Sequence, residues 1–248
     1  MSNEARGKAI EAPARVPATA WVTGSSSGIG LAIAQRLLYD GWQVVGLDLA
    51  PAIIQNNPAF ESHHIDLSDA TECAALATKM VKKQVPSGLV HAAGFMQTAS
   101  LGDLNFQAGV GMWAVHVQAA TALANVALPA MQSKGHGRVV LIGSRVSTGK
   151  AGRSQYAACK AALVALARSW AAETVRRGVT VNVISPAATD TPLLLGGGRS
   201  SSAPQRPPIG RYIQPAEVAA LTAFLLSEQA ASITGQDIAV CGGATLSF

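Results

Sequence analysis

The sequence predicts an open α/β fold, a parallel sheet of about seven strands with helices on both faces, and three observations predict it. Short β-branched or apolar runs alternate with long helical patterns, and a parallel partner strand needs a crossover that a helix fills. The first apolar run passes through a glycine-rich turn straight into the first helix. No shift of composition marks a second domain, so residues 1–17 read as a loose leader and 18–248 as one domain.

Taken in order, the runs place a strand at Thr19–Thr23, a helix at Ile29–Tyr39, a strand at Gln43–Asp48 and a strand at Ser62–Asp66. A helix at Ala70–Lys83 and a strand at Gly88–Ala92 follow, then a long helix near Gln107–Met131 and a strand at Arg138–Gly143. The second half continues with a helix near Gln155–Arg177, a strand at Val179–Ile184, a helix at Pro215–Leu226 and a last strand at Gln236–Val240. Between them Gly196–Pro208 is too rich in Gly, Ser and Pro to pack. Lying beyond the end of a strand, it reads as a mobile substrate lid rather than a passive linker.

Composition excludes several classes. With 248 residues, 49% apolar, 24 Gly and 3 Cys, the chain is neither disordered, collagen-like nor a disulfide scaffold. Charged residues make up 13%, against about 25% in an ordinary soluble domain. Self-association would hide such a surface, so a homotetramer is expected, with a homodimer as the smaller alternative. No apolar run reaches the length of about 18 residues a membrane helix needs, since Thr121, Asn125 and Pro129 break the candidate near Ala119–Met131. The leader lacks the apolar centre of a secretory signal. Cys73, Cys159 and Cys241 stand far apart, which fits reduced thiols in a cytoplasm and no metal site. The pI near 9.4 invites a nucleic-acid reading, but no run of Lys/Arg exceeds two and aromatics are few, so no nucleic-acid partner is expected.

The turn after the first strand reads Gly24-Ser25-Ser26-Ser27-Gly28-Ile29-Gly30. Gly24 suits the tight turn, Gly28 lets backbone approach a pyrophosphate, and Gly30 lets helix and strand pack closely, with free N–H groups aimed at the anion. Asp48 ends the second strand, 18 residues beyond Gly30. That is the place for a carboxylate that accepts from ribose hydroxyls and repels a 2′-phosphate. Ser25, Ser26, Ser27 and Leu49 supply no cation, so NAD is the expected cofactor in a Rossmann-type fold.

Tyr156 and Lys160 stand four residues apart, with Ser144 twelve residues before Tyr156 at a strand's end. Positions i and i+4 share a helix face, so phenol and ammonium point into the same space. A phenol with a pKa of about 10 is a poor base at neutral pH. Lowering it by two or three units takes about 3–4 kcal/mol, which a neighbouring cation can supply.

The Thr23-Gly24-xxx-Gly28-Ile29-Gly30 spacing, with Ser144, Tyr156 and Lys160, resembles the short-chain dehydrogenase/reductase family over roughly residues 18 to 246. The resemblance implies that Tyr156 exchanges a proton with the substrate oxygen, Ser144 hydrogen-bonds that oxygen, and Lys160 also holds the nicotinamide ribose. It places Asp66, with Leu67 after it, at the adenine, and Ala92, Ala93 and Gly94 beside the ribose. It puts Pro186, Ala187, Thr189 and Thr191 at the nicotinamide carboxamide, Ala187 replacing the family's glycine. Arg145, Phe95 and Leu193 are the candidates for touching substrate.

Two positions depart from the family pattern. His91 stands where the family has the first Asn of its NNAG run, and His116 where it has a fourth catalytic Asn that joins a proton relay. Imidazole can donate and accept, so these are either tolerated polar replacements or a modified relay that titrates between pH 5 and 8. His63-His64 has no ligand cluster at metal-binding spacing, and Cys159 would point away from the Tyr156–Lys160 face. Cys241 replaces the Asp of a late DGG.

Within the family, Trp21-Val22-Thr23-Gly24, the short interval from Asp48 to Asp66, Ser185-Pro186 before Thr189-Asp190-Thr191, and Gly242-Gly243-Ala244-Thr245-Leu246 are similar to 2,3-dihydro-2,3-dihydroxybenzoate dehydrogenases. The expected reaction is NAD(H)-dependent interconversion of a secondary alcohol, or cyclic diol, and a ketone on a small molecule. An acyl-carrier-protein-linked ketoreductase, or an NAD-binding regulatory protein with decayed chemistry, are the alternatives. Arg145, Lys150 and Arg153 precede Tyr156, and Arg199, Arg206 and Arg211 flank the lid. Such charge either concentrates an anionic substrate or simply solvates a surface.

Overall fold

The computed structural model describes residues 17–195 and 204–246, and its centre is one seven-stranded sheet with every neighbouring pair parallel. The strands are β1 (Thr19–Thr23), β2 (Gln43–Asp48), β3 (Phe60–His64), β4 (Gly88–His91), β5 (Gly137–Ile142), β6 (Val179–Pro186) and β7 (Asp237–Val240). Their order across the sheet is β3-β2-β1-β4-β5-β6-β7, the Rossmann-type arrangement, so the strand order reverses between β1 and β4. The carboxyl ends of those two strands flank the crevice where such sheets take ligands.

Alternation along the strands builds two cores. Trp21, Leu89, Val139 and Leu141 face the layer of α2 (Ala70–Lys83), α4 (Ala119–Lys134) and α5 (Ser154–Thr174). Ala20, Val22, Val90, Val140 and Ile142 face the opposite layer, where α1 (Gly28–Tyr39) packs on α7 (Pro215–Leu226). The period of two puts consecutive residues on opposite faces, which is why these strands are apolar without interruption. Between β4 and β5, α3 (Phe106–Trp113) precedes α4, and a short α6 (Pro192–Leu195) follows β6.

Most predicted elements stand within two residues of their expected bounds. The third strand lies two residues earlier than expected. Its pairing with β2 ends at Asp48↔His64, and Asp66 instead turns its carboxylate onto the backbone N–H and hydroxyl of Ser68, both at 2.8 Å. The long helix near Gln107–Met131 is not uniform, because Ala114–Gln118 winds as a π-helical segment between α3 and α4. The run Phe106–Lys134 spans 29 residues, and its most apolar 18-residue window has a mean hydropathy of 1.2, enough for a membrane span by length and composition. Its most apolar window is 56% buried inside the fold, as suits a core helix. Of the expected lid and leader, residues 196–203 and 1–16 lie outside the described residues.

The glycine turn is fixed by close approach. Gly24 has φ +69°, and a β-carbon there would sit 2.9 Å from the Ala93 Cα. At Gly30 a β-carbon would overlap the Gly24 carbonyl oxygen, a backbone atom that cannot swing aside. Gly30→Ala is therefore expected to destabilise the fold by about 2–3 kcal/mol in urea unfolding. An unchanged midpoint would show that the turn can relax.

Candidate active site

Three chain segments meet at the carboxyl edge of the sheet around a cleft. Ser144 follows β5 and caps a 3₁₀ turn, Arg145–Thr148, its Oγ accepting from the Val146 N–H at 3.4 Å. Tyr156 lies in the first turn of α5 and Lys160 one turn on, and all three line the cleft. The Lys160 Nζ is 5.6 Å from the centre of the Tyr156 ring and donates to the Ile142 carbonyl at 2.7 Å. Lys160 is 4% exposed, and burial pulls its pKa down from 10.5 to about 7. Cys159 is buried and does not line the cleft.

Most of the expected cofactor positions converge here. Ile29, Ala92, Gly94, Pro186, Ala187, Thr189 and Thr191 line the cleft with the Ser-Tyr-Lys group. Gly28 adjoins it, since a β-carbon there would meet the Thr191 Cγ2 at 3.3 Å. Asp48 binds the turn directly: one carboxylate oxygen accepts from the Ser26 N–H at 2.8 Å and the other from the Ala50 N–H at 2.9 Å. Ser26 Oγ closes the same loop on the Ala50 carbonyl, while Ser27 is the cap residue of α1. Leu67 buries its side chain in the core beside Cys73, which leaves only its backbone for a ligand.

One expectation is corrected. Phe95 does not line the cleft; its carbonyl accepts from His116, its ring stacks on that imidazole at 6.5 Å, and the next residue, Met96, faces the cleft instead. Leu193 and Arg145 do line it.

The structure also gives a role to a motif residue to which the sequence assigned none. Thr23 Oγ1 accepts from the backbone N–H groups of both Ala92 and Ala93 at 3.0 Å and lies 3.0 Å from His91 Nδ1. A hydroxyl has two acceptor sites and one proton. With both acceptor sites filled, it donates to His91 Nδ1, so the neutral His91 carries its own proton on Nε2. His116 Nε2 lies 2.8 Å from the Phe95 carbonyl, which can only accept, so His116 is an Nε2–H tautomer with its bare Nδ1 buried.

Burial, with the Lys160 charge in support, lowers the pKa of His91 to about 3 and that of His116 well below 6.5. His91 is thus neutral through pH 5 to 8 and His116 is held toward its neutral form, which does not favour the titrating relay considered from the sequence. The His116 ring meets Tyr156 edge-on at 5.5 Å and occupies the space a β-carbon on Gly94 would need.

A profile for the family described as Enoyl-(Acyl carrier protein) reductase matches residues 24–245. The 3-oxoacyl-(acyl-carrier-protein) reductase FabG of Escherichia coli (strain K12) is 32% identical over 237 residues, covering 90% of this chain and 96% of that protein. The chain belongs to the short-chain dehydrogenase/reductase family. The 2,3-dihydro-2,3-dihydroxybenzoate dehydrogenase of the same organism is also 32% identical, over 91% of this chain and 96% of its own length. A solved structure described as a putative NAD(P) dependent gluconate 5-dehydrogenase from Beutenbergia cavernae, with NADP bound at low occupancy, superposes with a TM-score of 0.85 and 30% identity. It covers 93% of this chain and 97% of that one. The chain is thus an oxidoreductase of that family, with ketoreductases and dehydrogenases among its relatives.

The neutral histidines make stability depend on pH. In the unfolded chain each imidazole binds a proton below about 6.5, whereas folded His91 does so only near 3. The His91 contribution to folding stability is therefore full above 6.5 and is lost between 6.5 and about 3, by up to about 1.4 kcal/mol per pH unit, and His116 acts in the same direction. His91→Asn should flatten that fall when urea unfolding is compared at pH 7, 5.5 and 4.5. An equal slope in both proteins would mean the imidazole is charged or solvated.

Proposed function

We propose that the chain is an NAD(H)-dependent oxidoreductase that interconverts a secondary alcohol, or a cyclic diol, and a ketone, with Tyr156 as the proton carrier. The observation that supports it most is the gathering of Ser144, Tyr156 and Lys160 on one cleft, the Lys160 Nζ 5.6 Å from the phenol ring. A bound nicotinamide dinucleotide would supply or accept the hydride at the substrate carbon.

The turn fits such a group, because Gly24 and Gly28 hold positive φ and leave N–H groups at the start of α1 for a pyrophosphate. Asp48 would take the adenosine ribose hydroxyls, and Lys160 with the loop Pro186–Thr191 the nicotinamide end. Ser144 Oγ would hydrogen-bond the substrate oxygen as charge develops on it. Tyr156 would pass the proton to or from that oxygen, with the Lys160 charge stabilising the phenolic oxygen once its proton has left. His116, neutral and edge-on to the ring, would fix its position rather than carry protons.

The surface supports an oligomer in this reading, a homotetramer or at least a homodimer in the cytoplasm. Phe106, Val110 and Trp113 follow one face of α3 and are 75%, 64% and 43% exposed. The relative named as a 3-oxoacyl-(acyl-carrier-protein) reductase supports a second substrate class, carrier-bound 3-oxoacyl thioesters, with preference for NADPH as its mark.

Two measurements test the reading. Tyr156→Phe should lower turnover by at least about 10²-fold, the lower end of what proton transfer contributes, while cofactor affinity stays within twofold. Retained turnover would remove Tyr156 from the chemistry. KM for NAD(H) should be at least tenfold below that for NADP(H); the reverse order would overturn the role given to Asp48.

A further inference from the structure

Beyond Ser144 the cleft adjoins a side pocket walled by Arg145, Gln205, Arg206, Pro207 and the turn through Gly243 and Ala244. Arg145, Ala187, Ala188 and Gln205 line both spaces, so the two adjoin. The lining is electrically one-sided. Arg145, Lys150 and Arg153 line the cleft and Arg206 the side pocket, and no Asp or Glu is among the described residues lining either.

Arg206 lies over the Tyr212 ring at 5.8 Å, and two further arginines pair outside both spaces. Arg211 makes a two-pronged pair with Glu217 at 2.7 and 2.9 Å on the outer surface, and Arg138 is buried against Glu228 at 3.2 Å. Arg199 lies outside the described residues. Arg145 makes one hydrogen bond among the described residues, Nη1 to the Ala244 carbonyl at 3.4 Å, a long contact that employs one of its five N–H donors. Arg145 is half-buried, lines both spaces and is next in sequence to Ser144. The pocket also lies on the β5–β7 half of the sheet, away from Asp48 on β2, so it is separate from the adenosine end.

We propose that this side pocket is an anion subsite: the substrate is a small keto or hydroxy acid whose carboxylate, or sulfonate, is held by the Arg145 fork. Arg206 and the rim cations draw it in. The subsite rests on the oxidoreductase reading for which carbon reacts. A guanidinium fork matches a planar carboxylate with two parallel N–H···O bonds, and a narrow cleft of one sign concentrates the opposite charge. Fixing the charge beside Ser144 would also orient the carbonyl, so the subsite selects the substrate and places it.

The test is the ratio of kcat/KM for an acid to that for its methyl ester, measured with 3-oxobutanoate, 4-oxopentanoate and 5-oxohexanoate, each acid paired with its ester. The best acid should exceed its ester by at least about thirtyfold. Arg145→Gln should lower the acid rate at least ten times more than the ester rate, and Arg145→Lys should keep most of the preference. A ratio near one in the native enzyme, or equal losses in Arg145→Gln, overturns the subsite. So does reduction of a carrier-bound 3-oxoacyl thioester in preference to every free acid. Should no ketone be turned over, the oxidoreductase reading fails, and titration of the NADH-loaded protein with propane-1-sulfonate still decides the subsite. Binding weakened tenfold in Arg145→Gln supports it, and equal or absent binding to the native protein refutes it.

Discussion

The site is organised around one buried ammonium held by a carbonyl rather than a carboxylate. Bringing the Lys160 pKa from 10.5 to about 7 corresponds to a penalty on the order of 5 kcal/mol against the charged form. A fold that only needed to pack would place an apolar side chain there, as buried ions commonly cost more than they return. What the lysine supplies is a cation poised near neutrality beside a phenol, in a place too dry for water to screen it. The carbonyl of Ile142 limits the loss, and it is available because β5 ends there and the chain turns away to Ser144.

The same charge dictates the state of its neighbours. An imidazolium at His91 or His116 would be buried next to an ammonium, so both rings stay neutral, and their hydrogen bonds can then be assigned by counting donors and acceptors. Thr23 fixes one tautomer and the Phe95 carbonyl the other. The π-helical turn is part of this arrangement: His116 and its packing against Gly94 and Tyr156 fall within Ala114–Gln118, where the wider winding re-aims side chains relative to a regular helix. A histidine in place of a smaller amide thus fits without a β-carbon at position 94.

How much of this was legible in the sequence follows from the range of each signal. The period-two runs and the glycine turn are local, and β1, β2, α2 and α7 have the bounds the sequence predicts. The Tyr156–Lys160 spacing is local too, and helix geometry alone puts both on the cleft. Long-range information was not legible. Nothing around Phe60 or Asp66 says where pairing with β2 stops, and hydropathy carries no mark of a π turn. That Met96 rather than Phe95 faces the cleft depends on where His116 lies, 21 residues away. Thr23 opens the glycine motif in the sequence, but its hydroxyl has no visible partner until β4 is laid beside it, and the spacing of arginines could not separate Arg145, on the cleft, from Arg211, paired outside it.

Charge and kinship pull differently on the cofactor, and magnitude favours charge. A 2′-phosphate about 4 Å from the Asp48 carboxylate would meet a repulsion on the order of 4 kcal/mol at an effective dielectric constant near 20, roughly a thousandfold in affinity. Each Asp48 oxygen already accepts one backbone N–H, but a carboxylate oxygen has room for a second donor, so ribose hydroxyls can still bind. Relief would need a cation close by, and neither the turn Gly24–Gly30 nor the stretch Leu49–Ile54 contains a Lys or Arg. The nearest basic residue along α1, Arg36, is paired with Asp40 at 2.8 Å near the far end of that helix. A solved structure of 30% identity that holds NADP at low occupancy shares the fold, and kinship at that distance does not fix the side chains that would meet a 2′-phosphate.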